Sequence, residues 1–561
     1  MLQKRYLKKP PMDRAMLVFF AVLFGASSIV IPIQGQLDQS GFLSIDCGLP
    51  ANTNYTYGAT GISYVSDSTF IDTGVTKPIS ASYNVPSLGL QFRYVRSFPT
   101  DSGAKNCYTF RLTKGKKHLI RARFMYGNYD SKNQLPEFGL YLGVTLWDTV
   151  EIVDASKVVD KEIIHVASSN SIDLCIMDTG FGTPFISVIE LRILSNYNLY
   201  ESTISGSMVT YLRYDIGSQS TDIVRYRDDA YDRLWYPVGN SPSWKTISTT
   251  SSIGVTTGQN SYVVPSKTMQ TAVTPTDPSQ PLNFSLPQVD PNTGFKFYLH
   301  FSEIEQLQSN ESRIFNITLN GDVWYGNLGP RYLGLTTIGS TGQSISQGYY
   351  NFSLVKVNNS TRPPLLNAIE AYTVVDILES QTAQDDAGSM RSIKSTYGLK
   401  NKNWQGDPCA PETYRWDGIN CNYDNPNSSR IISLNLSSSG LTGQITPYIG
   451  DLKSLGTLDL SYNNLTGGVP DFLAQLPSLK VLLDGNPYLC SSTSCQNGSS
   501  SNGQKHANNL GVAIGASLGS LLVIIVAGFV LFFYLKVRPT KQQSQSQSFW
   551  TFGSSVRKFF F

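Results

Sequence analysis

From Phe42 to about Val375, apolar and polar residues alternate in short runs broken by Gly, Pro, Asn and Asp. Runs such as His118-Leu-Ile-Arg-Ala-Arg-Phe-Met-Tyr126 and Phe295-Lys-Phe-Tyr-Leu-His-Phe301 keep a period of two. That period predicts half-buried strands. Many short strands separated by turn signals predict a sandwich or barrel, and this stretch is longer than one sandwich needs.

A duplication accounts for the length. His118-Leu-Ile-Arg-Ala-Arg-Phe leads to Phe138-Gly-Leu-Tyr-Leu-Gly143 and Trp147; Phe295-Lys-Phe-Tyr-Leu-His-Phe leads to Phe315-Asn-Ile-Thr-Leu-Asn-Gly321 and Trp324. Each half closes on a similar strand, Ile186-Ser-Val-Ile-Glu-Leu-Arg192 and Leu366-Asn-Ala-Ile-Glu-Ala-Tyr372. The expectation is a mainly β chain with tandem β-sandwiches at 36–200 and 201–380, joined near 198–210. A helical stretch is expected near Ala371–Tyr397, followed by a linker and cap at 381–430.

From 431 to 496 the pattern changes to a repeat of 24 residues. Leu434, Leu436, Leu441, Gly443, Ile445, Leu452 and Leu455 recur as Leu458, Leu460, Leu465, Gly467, Val469, Leu476 and Leu479. This is the spacing of a leucine-rich α/β solenoid, whose turns bury their leucines against one another. A third copy starts at Leu482 but runs one residue short before Asn486. With so few turns, a spacer or docking surface is expected rather than a large concave binding site.

Two apolar segments set the topology. Lys4, Arg5, Lys8, Lys9 and Arg14 precede an uncharged run from Ala15 to Ile31, and small residues lead to Gly35. This reads as a signal peptide over 1–35, with Met12 as an alternative start. After a stalk at 497–509, Leu510 to Leu535 holds 26 residues without a charge, enough to span a membrane. Lys536, Arg538 and Lys541 follow, which places the 536–561 tail in the cytoplasm and predicts a single-pass type I protein of the plasma membrane. Gly511, Gly515 and Gly519 form a small-residue face suited to helix association in the membrane.

Composition agrees with an exported chain. Charged residues are only 15% and aromatics 12%, and the net charge of +3 with no basic run excludes nucleic acid as a partner. Sequons stand at Asn54, Asn283, Asn310, Asn316, Asn351, Asn358, Asn359, Asn427, Asn435, Asn464 and Asn497, all between the two apolar segments. Cys409/Cys421 and Cys490/Cys495 are close pairs suited to local bridges. Of Cys47, Cys107 and Cys175, one thiol is left over, either free and buried or bridging to another chain.

Phe42-Leu-Ser-Ile-Asp-Cys-Gly48, Tyr64, Asp72-Thr-Gly74, Arg93-Tyr-Val-Arg-Ser-Phe-Pro99 and Arg227-Asp-Asp-Ala-Tyr-Asp-Arg-Leu-Trp235 together resemble plant malectin-like domains. Trp404-Gln-Gly-Asp-Pro-Cys409 and Trp416-Asp-Gly-Ile-Asn-Cys421 resemble the Gly-Asp-Pro-Cys junction and cap of plant leucine-rich-repeat receptors. The domain order resembles the malectin-like leucine-rich-repeat receptor kinases. The resemblance implies a buried asparagine ladder at Asn463, with Ser439 in the same place one turn earlier. It also implies a cytoplasmic Ser/Thr kinase, whose Gly-rich loop, His-Arg-Asp and Asp-Phe-Gly are not found in this sequence. The expectation is a kinase-less receptor form or a truncated gene model, with no enzyme activity and no cofactor. Animal malectin contacts glucose with aromatic residues; at the corresponding places only Tyr126 and Tyr129 remain as ligand candidates. The function expected is a plant cell-surface, receptor-like glycoprotein that binds an extracellular peptide, protein or cell-wall carbohydrate. It signals through a kinase-bearing partner in the membrane or acts as a decoy; the alternative is a membrane-tethered lectin.

Overall fold

The computed structural model describes residues 39–490 apart from 101–102, 196–198, 201–205, 240, 255–261, 287–289, 341–344, 346, 400–402, 426–427 and 477. The proposed signal peptide, the apolar segment with Gly511, Gly515 and Gly519, and the tail lie outside these residues. Among the described residues no helix is long and apolar enough to cross a membrane.

Two hydrophobic cores match the two halves expected from the duplication, one built around Ile120, Phe124, Phe138 and Leu174 and the other around Phe297, Leu299, Phe315 and Phe352. The halves are not separate sandwiches, however. Strand Val158–Val166 of the first pairs antiparallel with Gly206–Ile216 of the second, through Ile163 opposite Val209. The inner layers thereby merge into one eleven-stranded sheet. Each half adds a four-stranded outer sheet: Lys105–Arg111, Ser171–Phe181, Glu137–Leu142 and Thr145–Glu151 in the first, and Leu282–Leu286, Tyr350–Lys356, Phe315–Leu319 and Asp322–Leu328 in the second.

The merged sheet corrects the half-buried reading of its strands. Lys117–Met125 is buried from His118 onward, and Phe295–Phe301 is buried throughout. Ile120, Ala122 and Phe124 point into the sandwich core, whereas Leu119, Arg121, Arg123 and Met125 alternate to the other face. The segment 224–235 and Tyr200 close over that second face, so alternation here reports two different interiors rather than core and solvent.

The helix is shorter than expected. Ala368–Asp376 is a strand inside the merged sheet, and the helix runs Gln384–Tyr397. Thr373-Val-Val375 is β-branched and paired along its length with Ser207–Val209, and Thr373 also with Phe295, which outweighs any helical tendency there. Gly398 ends the helix with φ +59°, a left-handed residue suited to glycine.

The solenoid forms as the leucine spacing requires. Its parallel strands Arg430–Asn435, Thr457–Asp459 and Lys480–Leu482 stack in register, with Leu434, Leu458 and Val481 aligned. Asn463 is buried and accepts the N–H groups of Ser439 at 2.9 Å and Leu441 at 3.0 Å, while donating to the carbonyls of Leu436, Leu460 and Ser461. Asn486 repeats this one turn later, with the N–H of Leu465 at 3.1 Å. The helix Gln384–Tyr397 and the stacked Trp404 and Trp416 rings, 4.9 Å apart, complete the solenoid core at its N-terminal end.

Candidate functional site

Two polar constructions organise the molecule: a buried charge seam that joins the two sandwiches and a joint that seats the solenoid on the first of them.

The seam lies on the second face of the merged sheet. Arg121 donates to Glu162 at 2.7 Å and to Glu190 at 2.7 Å, and also to the backbone carbonyl of Asp232. Arg225 and Arg192 hold the Asp232 carboxylate at 2.7 and 2.8 Å. Arg213 bridges the halves, reaching Glu162 of the first at 2.7 Å and Glu370 of the second at 2.7 Å. Glu370 also accepts from Tyr200 at 2.7 Å and lies 3.0 Å from His300 Nε2. Arg233 and Trp235 share Asp229 at 2.9 and 2.7 Å. The motif Arg227–Trp235 is therefore the lid of the seam.

Burial by itself would raise the pKa of these carboxylates, but the guanidinium groups outweigh it. Arg225, Arg121 and Arg192 hold Glu190 well below the usual range, and Asp232 sits at about 2 for the same reason. His300 is pushed down, first by burial, and Glu370 is held low chiefly by Arg213 against its own burial. Removing one partner would leave an uncompensated buried charge, so the seam couples the orientation of the two halves.

The joint is built from the Gly-Asp-Pro-Cys segment. The Asp407 carboxylate accepts from Ser380 Oγ at 2.7 Å, from the N–H groups of Gln381 and Thr382 at 3.1 and 3.0 Å, and from those of Cys409 and Ala410 at 3.0 and 2.9 Å. Lys105, buried in the first sandwich, donates to the carbonyls of Asp407 at 2.8 Å and Ala410 at 3.1 Å. Burial lowers its pKa to about 8. Gln405 donates to Asp72 at 2.6 Å, and Tyr414 to the carbonyl of Asp178 at 3.1 Å. Upstream, Glu379 Oε1 lies 2.7 Å from His165 Nε2 and accepts from the N–H of Ser168 at 2.6 Å. The chain thus leaves the second sandwich, crosses the first, and there turns into the solenoid.

The remaining sequence expectations find their places. Cys409 and Cys421 are bridged, Cys490 is disulfide-bonded, and Cys495 lies outside the described residues. Cys107 is bridged to Cys175 across paired strands, which leaves Cys47 as the free, buried thiol. Burial and Asp67 push the pKa of that thiol well up. Tyr126 and Tyr129 are 0% and 7% exposed and pack on Phe185 in the first core. Their hydroxyls donate to Asp130 at 2.6 Å and to the Thr183 carbonyl at 2.9 Å, so neither ring offers a face to a sugar here. Among the described sequons, Asn54, Asn283, Asn310, Asn351, Asn358, Asn359, Asn435 and Asn464 are exposed and Asn316 is half-buried; Asn427 and Asn497 lie outside the described residues. The seam itself escaped the sequence reading, although its signal was present as Arg and Glu at alternate positions of strands expected to be core.

The malectin-like domain family matches residues 45–374, and the leucine-rich repeat family matches 454–476. A probable LRR receptor-like serine/threonine-protein kinase of Arabidopsis thaliana is 43% identical over 76% of this chain and 49% of its own length. The LRR receptor-like serine/threonine-protein kinase IOS1 of the same plant is 40% identical over 92% of this chain and 59% of its own. The chain therefore spans about half the length of the curated relatives it matches. Among solved structures, the ANXUR1 extracellular domain from Arabidopsis thaliana is 16% identical with a TM-score of 0.48, over 59% of this chain and 96% of that one. A plant peptide RALF23 complex with FER and LLG2 matches at 16% identity and a TM-score of 0.45, over 59% and 95%. With the merged sandwiches, the joint and the solenoid in this order, the chain belongs to the malectin-like, leucine-rich-repeat receptor-like family.

Proposed function

We propose that this protein is the recognition component of a plant cell-surface receptor, presenting its malectin-like unit and solenoid outside the cell. It binds an extracellular peptide or protein, and the signal is carried by a kinase-bearing partner in the membrane. A copy present in excess then acts as a decoy for that partner. The observation that carries the reading is the use of polar chemistry: the buried acids and guanidinium groups of the seam neutralise one another inside the fold, with His300 held 3.0 Å from Glu370. Such a body suits ligand capture and rigid transmission, and the relatives it resembles are receptor-like kinases. The burial of Tyr126 and Tyr129 favours a peptide or protein ligand over the lectin alternative.

The test uses the full chain reconstituted in lipid nanodiscs, screened in parallel against an extracellular peptide library and a glycan array. Saturable peptide binding, with co-precipitation of a receptor kinase relative from plant membranes, supports the reading. Glycan binding alone would replace it with the tethered lectin.

A further inference from the structure

Three sequons fall in three neighbouring strands of one sheet. Asn283-Phe-Ser285 lies in Leu282–Leu286, Asn316-Ile-Thr318 in Phe315–Leu319 and Asn351-Phe-Ser353 in Tyr350–Lys356. The last is the central strand and pairs with both others. Residues two apart on a strand share a face, so the asparagine and the hydroxyl residue of each sequon project together. That face is the outer one, because the intervening Phe284, Ile317 and Phe352 are buried in the second core.

The register gathers the three into one patch. Asn283 stands opposite Ser353, Ser353 opposite Thr318, and Asn351 opposite Ser285. Asn283 and Asn351 are thus diagonal neighbours, roughly 7–8 Å apart. Asn283 Oδ1 accepts from Ser353 Oγ at 2.6 Å, and Asn316 Oδ1 accepts from the N–H of Asn327 at 2.8 Å. Both bonds use the acceptor oxygen and not Nδ2, the atom that would carry a sugar. Beside them the outermost strand Asp322–Leu328 exposes Val323 and Tyr325, an apolar edge that invites strand addition unless covered. The outer sheet of the first sandwich differs: it carries no sequon, and its Cys107, Cys175 and Tyr141 pack against Tyr414 of the joint.

We infer that Asn283, Asn316 and Asn351 each carry an N-linked glycan, and that the outer face of this sheet is a sugar-covered surface at which protein partners do not dock. In each transfer Nδ2 attacks the anomeric carbon of a lipid diphosphate-linked oligosaccharide. A carbon–nitrogen bond forms and the bond from that carbon to the diphosphate oxygen breaks. The lipid diphosphate leaves with the electron pair, and the amide loses one proton. The inference rests on the chain being exported, as the proposed function requires, and sequons outside the sheet separate the two.

The full chain is isolated from plant-cell membranes and deglycosylated enzymatically in heavy-oxygen water, which marks each formerly glycosylated asparagine as labelled aspartate. Hydroxyl-radical labelling of Val323 and Tyr325 is compared before and after native deglycosylation. The expected result is labelled aspartate at all three positions and a several-fold rise in labelling of the edge strand. Marking of Asn310, Asn359 or Asn464 without at least two of the three overturns the inference and leaves export standing. Marking at no sequon overturns both. Full occupancy with unchanged labelling of Val323 and Tyr325 overturns the shielding.

Discussion

Gly406 rests directly on Cys107: with its φ of +61°, a Cβ on the glycine would fall 2.8 Å from the cysteine sulfur. The Cys107–Cys175 bridge on the first sandwich is thus the floor on which the joint to the solenoid is set. Gly406→Ala adds both a steric conflict and a left-handed residue with a side chain, the latter costing about 1–2 kcal/mol. Amide exchange at Cys409, Ala410 and Trp416 is expected to accelerate on the order of tenfold, while Leu299 and Leu354 in the second core keep their protection. Unchanged exchange in the joint would show that this contact does not hold it.

Arg213 tests the seam. It pairs with Glu162 and Glu370 from opposite halves, and all three are buried. Arg213→Met leaves two buried carboxylates short of their partner, at a cost of about 3–5 kcal/mol. Urea denaturation should show this loss in midpoint, whereas Lys157→Met at the exposed pair with Asp154 should leave the midpoint in place.

Asp46 sets a pH dependence of the opposite sign to the seam. Burial raises its pKa to about 7, against a lowering bond from Tyr55 at 2.8 Å. The folded state therefore binds more protons than the unfolded chain between about 4 and 7, and this group's contribution falls as pH rises through that window. Asp46→Asn should stabilise the fold relative to the parent more at pH 8 than at pH 5, by on the order of 2–4 kcal/mol in unfolding free energy, seen as a larger rise in melting temperature at pH 8. Glu190 and Asp232, held low, act at the acid end: the stability they supply is lost as pH falls below about 4 toward 2. Equal effects of Asp46→Asn at both pH values would refute its protonated state.

Asn463 carries five backbone groups of the solenoid. Asn463→Ala strands several of them in a buried place, at about 1–3 kcal/mol for each left unsatisfied. Limited proteolysis should cut the mutant between 431 and 476 much faster than the parent and leave 42–376 intact.

The cysteines give a direct chemical check. Non-reducing peptide mapping should recover Cys107 linked to Cys175 and Cys409 linked to Cys421, with Cys47 alkylated only after denaturation. Rapid alkylation of Cys47 in the native protein would contradict its burial and its raised pKa.

Local pattern was enough for much of this molecule. The period of two placed the strands, the repeat of 24 placed Leu434 over Leu458, and the short spacing of Cys409 and Cys421 announced their bridge, because each depends on neighbours close in sequence. Asn463 was legible through the resemblance to plant leucine-rich-repeat receptors, which implies an asparagine ladder at that place in each turn. What the sequence left open was decided by contacts between residues far apart along the chain. Whether Arg121 and Glu190 face water or each other depends on a sheet merged through Ile163 and Val209 and on a lid reaching over it from Asp232. Whether Tyr126 is an open platform or core depends on Phe185 folding against it. Alternation along a strand tells two faces apart but not what covers either one, and only the tertiary structure supplies the cover.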